Sequence, residues 1–290
     1  MTDKLVKGSN NNIVYVTSCC TNRCIMCCQP ASDDDDTTYH YSRNIALIDT
    51  ADPETDYVCI TGGEPTLSGD ILFDYTHRIW KRMPNACIHL LTNGRSFANT
   101  CYFEKFAREA NGKLFIGIPL HADNYADHDA IAGSKGAFYD TLKGLHNLGV
   151  LGFEIELRII ILKQNYMRLE KIADFICRNL PFVAQVSIMG LEVVGYAEKN
   201  YYRVWIDSKY YVNNLAKAVE ILDSSHIQTK IFNIPHCHLP PTLWPFTCKS
   251  ISDWKKTNLN ICNKCTKIQE CCGLFSTSKK QGYKIKPITI

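Results

Sequence analysis

The chain has 290 residues, 15 of them cysteine, with 46 % hydrophobic and 21 % charged residues and a formal net charge of +3. That balance fits one large or two small globular domains and excludes a disordered or fibrous chain. No run reaches the roughly 20 apolar residues of a membrane span, and Met1–Asn10 lacks the apolar core of a secretory signal, so a cytoplasmic location is expected and a disulfide scaffold is a poor account of the cysteines.

In chain order, Asn12–Thr17 reads as a first strand and Tyr57–Thr61 as a second, ending in Gly62-Gly63. Cys87–Thr92 is a third, ending in Asn93-Gly94; Leu114–Pro119 is a fourth, Phe153–Leu162 a fifth and Val183–Ile188 a sixth. Short apolar runs flanked by glycine are what two-sided burial in a parallel sheet demands. Helices are expected over Ile71–Arg82, Tyr102–Ala110, Ala137–Leu148 (stopped by Gly149), Tyr166–Asn179 and Tyr211–Leu222. The acidic run Asp33–Asp36 reads as a solvated loop, and Lys135–Phe138 as a helix entry. Six strand–helix alternations imply right-handed crossovers and an α/β fold, a partial (β/α)6 TIM-like barrel over residues 1–234, with chemistry on the loops after the strands.

From Pro235 the periodicity weakens. Pro235, Pro240, Pro241 and Pro245 stand among six cysteines, so residues 235–290 read as a small Cys-rich module held by metal rather than by a core. Residues 201–290 carry a net +8 against −5 for residues 1–200, read as a solvated surface. With no nucleic-acid module or basic stripe, neither a nucleic-acid nor a membrane partner is expected.

After the first strand comes Cys19-Cys20-Thr-Asn-Arg-Cys24-Ile-Met-Cys27-Cys28. Cys20, Cys24 and Cys27 can each ligate one iron of a cubane cluster, leaving the fourth iron open to a substrate or cofactor. Thr61-Gly-Gly-Glu64-Pro65-Thr66, at the end of the second strand, offers close backbone approach and a carboxylate. A second constellation is Cys262-Asn-Lys-Cys265 with Cys271 and the upstream Cys237. These four thiolates make a closed site, either iron–sulfur or a zinc knuckle, with Cys248, Cys272, His236 and His238 as alternative ligands. Cys59, Cys87, Cys101 and Cys177 read as buried packing. His121, Asp123 and Glu192 follow strands and either touch a ligand or sit in surface loops and ion pairs.

The C-x3-C-x2-C spacing, paired with Gly62-Gly-Glu-Pro65, resembles the radical S-adenosylmethionine (SAM) superfamily. The resemblance implies a 4Fe–4S cluster on Cys20, Cys24 and Cys27. The open iron would chelate the amino and carboxylate groups of SAM, and reductive cleavage would give a 5′-deoxyadenosyl radical. Gly62, Gly63, Glu64 and Pro65 would lie along the SAM methionine group and Thr92 and Asn93 at its ribose, unless these two form a plain turn. Arg158 would grip the carboxylate or pair with Glu154 or Glu156. Met26 stands where the superfamily usually has an aromatic residue.

The C-terminal cysteines resemble the auxiliary iron–sulfur extension of radical SAM peptide maturases. Cys24–Pro30, Gly117–Leu120, Lys135–Phe138, Met189–Glu192, Leu243–Phe246 and Lys249–Lys255 resemble the C-type member of the His-Xaa-Ser system maturases. That likeness implies a ribosomally made precursor peptide as substrate, crosslinked or dehydrogenated, and a sister radical SAM subunit. It also implies an electron donor such as flavodoxin or ferredoxin. A non-catalytic recognition subunit, or an enzyme acting on a small molecule, is the alternative.

Overall fold

The computed structural model describes residues 3–110, 114–249, 255–277 and 284–289. Its principal sheet has eight strands in sequence order, β1 (Ile13–Tyr15), β2 (Tyr57–Thr61), β3 (Cys87–Leu91), β4 (Leu114–Pro119), β5 (Glu154–Ile160), β6 (Gln185–Met189), β7 (Gln228–Phe232) and β8 (Thr247–Cys248). Strands β1 to β4 pair in parallel, as do β6 to β8. Strands β9 (Lys256–Thr257) and β10 (Leu274–Phe275) form a separate antiparallel pair. The principal helices are α1 (Thr37–Asp49), α2 (Asp70–Arg82), α3 (Thr100–Glu109), α4 (Tyr125–Ala132), α5 (Ala137–Val150) and α6 (Leu169–Asn179), then α7 (Tyr196–Lys199), α8 (Tyr201–Val204) and α9 (Ser208–Ser224). This is the expected partial TIM-like architecture, extended beyond six strands by β7 and β8.

The chain divides into two compact units. The first comprises residues 1–24, 29–119 and 132–156; the second comprises residues 25–28, 120–131 and 157–290. In the first unit, the register puts Val58, Ile60, Ile88, Leu90 and Ile116 on one face of the sheet, all at most 1 % exposed. Because side chains alternate across a strand, the other face carries Cys59, His89 and Gly117. Helix α2 buries Leu72, Phe73, Tyr75, Thr76 and Ile79, the 3.6-residue stripe that made it legible. Helix α1, which hydrophobic periodicity does not predict, begins directly after the aspartate loop, with Asp36 preceding its first residue. Its buried stripe is Thr37, His40, Asn44, Leu47 and Ile48, too polar to show as hydrophobic periodicity. Asn44 anchors it, its amide donating to Tyr15 O at 2.7 Å and to the Tyr75 hydroxyl at 3.1 Å. Helix α5 runs through the expected stop at Gly149, and the left-handed residue that follows it is Gly152, φ 72°.

In the second unit, α6 buries Leu169, Ile172, Ala173 and Ile176, and α9 buries Tyr211, Leu215, Ala218, Val219 and Leu222. Strand β7 went unread because its Gln-Thr-Lys-Ile-Phe sequence is half polar; Thr229 and Ile231 are its buried residues. Among the described residues no helix is long and apolar enough to cross a membrane.

Candidate functional site

In the first unit, Val16 and Thr17 are fully buried and carry β1 into the cysteine loop. The loop after β2 lies directly on that segment. Gly63 N donates to Thr17 O at 2.6 Å and Glu64 N to Cys19 O at 2.7 Å. A Cβ on Gly62 would lie 2.5 Å from Thr17 O, and one on Gly63 would lie 2.2 Å from Cys19 O. Glycine is therefore required at both positions by the protein's own backbone.

Glu64 is fully buried. Its Oε1 accepts from Thr66 N (3.0 Å), Thr66 Oγ1 (2.7 Å) and Thr92 Oγ1 (2.7 Å), and its Oε2 from Asn93 N (2.6 Å). Burial pushes the carboxyl above its usual range, against the pull of these donors. Pro65 opens the short 3-10 turn that Glu64 caps. Asn93, at the end of β3, donates through its amide to Thr21 Oγ1 at 2.8 Å and towards Cys20 Sγ at 3.9 Å. Its Oδ1 accepts from Arg95 N at 3.0 Å, so Thr92 and Asn93 brace a turn against Glu64 and the cysteine loop. Cys20 Sγ also accepts from Asn22 N at 3.4 Å, and burial raises its thiol.

Two further residues hold this loop, neither of them among the expected site residues. Arg95 donates through Nη1 to Thr21 O (3.1 Å), Asn22 Oδ1 (2.9 Å) and Ser134 Oγ (2.8 Å), while Nε and Nη2 reach Asp140. Asp36, expected in a solvated run, is half-buried and accepts from Thr17 Oγ1 (2.8 Å), Ser18 N (2.8 Å) and Ser18 Oγ (2.5 Å). Burial opposes its ionisation, but the Ser18 and Thr17 hydrogen bonds outweigh it and hold the carboxyl down at about 2. No spacing rule singles out an arginine after Asn-Gly or the last of four aspartates.

Cys20 and Cys24 belong to the first unit and Cys27 to the second. In the second unit, Cys27 O accepts from Tyr196 N at 2.8 Å and Ile25 O from the Asn200 amide at 2.8 Å, and Met26 is buried. Arg158 Nη2 lies 3.5 Å from Met189 Sδ. Glu192 pairs with Lys255 at 2.8 Å.

The second unit also gathers the four C-terminal cysteines. Cys237, Cys262, Cys265 and Cys271 line one cavity with His236, Ile268, Leu274 and the segment Ile285–Pro287. Cys265 N donates to Cys262 O at 2.9 Å, closing the C-x2-C turn. Cys271 Sγ accepts from Gly273 N at 3.4 Å and His236 N at 3.5 Å. The Cys272 thiol, with these two amides, holds the Cys271 thiol down at about 5 against burial. Burial, with Cys271 and Cys262 nearby, pushes Cys237 up to about 11. All four are free thiols. Four thiols lining one pocket are the donor type that a metal or an iron–sulfur cluster takes.

The remaining cysteines have other places. Cys19 Sγ donates to Asp34 O at 3.3 Å, Cys272 Sγ lies 3.1 Å from Ile234 O, and Cys248 lies in β8. Cys59 is buried and Cys87 and Cys177 half-buried, but Cys101, expected in packing, is exposed on the first turn of α3. Residues 250–254, within the Lys249–Lys255 stretch, lie outside the described residues.

Residues 14–176 match the family model described as the Radical SAM superfamily. No curated protein matches the chain. Among solved structures, SuiB from Streptococcus suis is similar at 15 % identity and TM-score 0.55, covering 79 % of this chain and 49 % of that one. The structure of anSMEcpe with bound AdoMet is similar at 15 % identity and TM-score 0.57, covering 75 % and 60 %. A radical SAM methyltransferase from Sphaerobacter thermophilus is similar at 15 % identity and TM-score 0.52, covering 76 % and 64 %. At such identities the likeness is one of fold, and the chain spans about half to just under two thirds of these proteins' lengths.

Proposed function

The chain belongs to the radical SAM superfamily, and on that footing we propose that it is a peptide maturase with two metal centres. Membership implies an enzyme that uses a 4Fe–4S cluster and SAM. When bound, that cluster supplies the electron for reductive cleavage of SAM. Cys20, Cys24 and Cys27 are the ligands in this reading. Because the Glu64 carboxylate already accepts four hydrogen bonds, Gly62, Gly63 and Glu64 would meet the SAM amino group through backbone carbonyls. Asn93 would act by fixing Thr21 and Cys20 rather than by reaching the ribose. Arg158 remains the residue suited to the SAM carboxylate.

The observation that carries the reading beyond the superfamily is the cavity shared by Cys237, Cys262, Cys265 and Cys271. A closed four-thiolate site suits an auxiliary cluster that accepts an electron, as a net oxidation of a peptide would require. The anSMEcpe structures include complexes with peptides, among them Kp18Cys. That, with the motif likeness to the His-Xaa-Ser maturases, supports a ribosomally made precursor peptide as substrate. A sister radical SAM subunit, a flavodoxin- or ferredoxin-type reductant and a cytoplasmic setting complete the proposal.

Anaerobic reconstitution with iron and sulfide tests it. We expect about eight irons per chain, about four after alanine replaces Cys20, Cys24 and Cys27, and SAM cleavage in the unsubstituted protein alone. Co-expression with a His-Xaa-Ser peptide is expected to give a loss of about two mass units per event, the two-electron signature of a crosslink or dehydrogenation. Undiminished peptide modification by the assembled pair after the three alanine substitutions would instead assign this chain the recognition role.

A further inference from the structure

His236 lines the four-cysteine cavity. It is 3 % exposed, and its ring is locked in place. The imidazole stacks on Trp244 at 5.4 Å between centroids and 14° between planes, and Nε2 lies 2.7 Å from Thr247 Oγ1. Its own backbone amide already donates to Cys271 Sγ, which places the residue beside a ligand sulfur. Nδ1 is buried and has no hydrogen-bond partner among the described residues. His238, the other histidine flanking Cys237, differs in this respect, because its Nδ1 lies 2.9 Å from Ser208 Oγ.

A buried imidazole nitrogen without a partner is uncommon and calls for an explanation. Two protons are available around the ring, one from the imidazole and one from the Thr247 hydroxyl. The hydroxyl lies 2.8 Å from Trp244 O, but that carbonyl also accepts the backbone N–H that closes the 3-10 turn. Turning the hydroxyl towards Nε2 therefore leaves Trp244 O satisfied and puts the imidazole proton on Nδ1. An anionic sulfur in the cavity would select that tautomer.

Resting on the reading that the four cysteines hold an iron–sulfur cluster, we propose that His236 donates a hydrogen bond from Nδ1 to a sulfur of that cluster and raises its reduction potential. Hydrogen bonds to cluster or ligand sulfur stabilise the more negative, reduced state. His236 is in this sense a positioning and tuning residue, held by Thr247 and Trp244.

The test uses the full-length chain with Cys20, Cys24 and Cys27 replaced by alanine, loaded with iron and sulfide, so that only the C-terminal site responds. Exchange into deuterated water followed by electron–nuclear double resonance of the reduced cluster is expected to show an exchangeable deuteron that His236→Phe removes with iron content unchanged. The same substitution, which keeps the stack on Trp244, is expected to disfavour reduction about tenfold, a fall of about 59 mV for a one-electron couple. Thr247→Val, which leaves the imidazole in place but removes the hydroxyl, is expected to shift the potential in the same direction by less. Iron bound with an unchanged potential and unchanged deuteron coupling in His236→Phe would overturn the proposal. Iron absent from the triple variant, or zinc in its place, would overturn the two-cluster reading beneath it.

Discussion

The Glu64 carboxylate and the Asn93 backbone amide meet at 2.6 Å in a wholly buried site. The same carboxylate receives Thr92 and Thr66, and the Asn93 side chain continues to Thr21 and Cys20. One acidic side chain therefore ties the loop after β2 to the end of β3, and through it to the cysteine loop. Glu64→Gln keeps the shape but turns an NH2 group towards donors. It is expected to cost about 2–4 kcal/mol of stability, the range for disrupting a buried charged hydrogen-bond network. Urea unfolding of the metal-free protein reads this, and a change below about 1 kcal/mol would show that the network is replaceable.

Arg95 performs the same service from the other side of the loop. Its Nη1 bonds to Thr21 O and Asn22 Oδ1 depend on a planar fork whose other nitrogens are held by Asp140. Lysine provides a single point charge and cannot fill both roles. Arg95→Lys is expected to speed chelator-driven loss of iron from the N-terminal site about tenfold, equivalent to about 1.4 kcal/mol, while leaving the C-terminal site's iron unchanged. Equal acceleration at both sites would point to general destabilisation instead.

How far the sequence revealed these arrangements depends on whether the relevant contacts are periodic. Strands β2 and β4 match their apolar runs residue for residue, and α2 starts within one residue of its expected bound, because apolar burial repeats at 2.0 or 3.6 residues. Helix α1 and strand β7 leave no apolar period because several of their buried positions are polar: Asn44, held by Tyr15 and Tyr75, His40, beside Asp36, and Thr229, which donates to Ile227 O. Of the cysteines that spacing singles out, Cys237, Cys262, Cys265 and Cys271 share a cavity. Asp36 and Arg95 act through neighbours 18 to 74 residues away in sequence, which leaves no local pattern.

In the first unit, His89 bridges Tyr57 and Glu156, with Nδ1 at 3.0 Å from the Tyr57 hydroxyl and Nε2 at 3.1 Å from Glu156 Oε2. Gly117 makes room for this pair. A Cβ there would lie 2.7 Å from Leu91 Cδ2, 2.9 Å from His89 Nε2 and 3.1 Å from Glu156 Oε2. Gly117→Ala is expected to destabilise the protein by about 1–3 kcal/mol through overpacking. In a double-mutant cycle with His89→Ala, which removes the ring but leaves Leu91 Cδ2, only part of that penalty should disappear. Additive losses in thermal or urea unfolding would show that the clash is relieved elsewhere.

The rings of His121 and His128, both in the second unit, lie 5.1 Å apart between centroids, tilted by 54°, and are at most 2 % exposed. Burial, together with His128, lowers His121 to about 3, and burial lowers His128 to about 4 against the pull of Asp129. Both are therefore neutral in the folded chain, whereas histidine in the unfolded chain titrates near 6.5. Below that value the unfolded state binds more protons, so the stability contributed by the neutral pair is complete above about pH 6.5 and is lost as pH falls towards 4. Between pH 7 and 5 each histidine should withdraw about 2 kcal/mol, using 1.36 kcal/mol per pH unit below 6.5. Urea midpoints of the metal-free protein across that range measure the slope. His121→Phe, which substitutes a neutral ring, is expected to halve it, and an unchanged slope in that variant would assign the acid sensitivity to other groups.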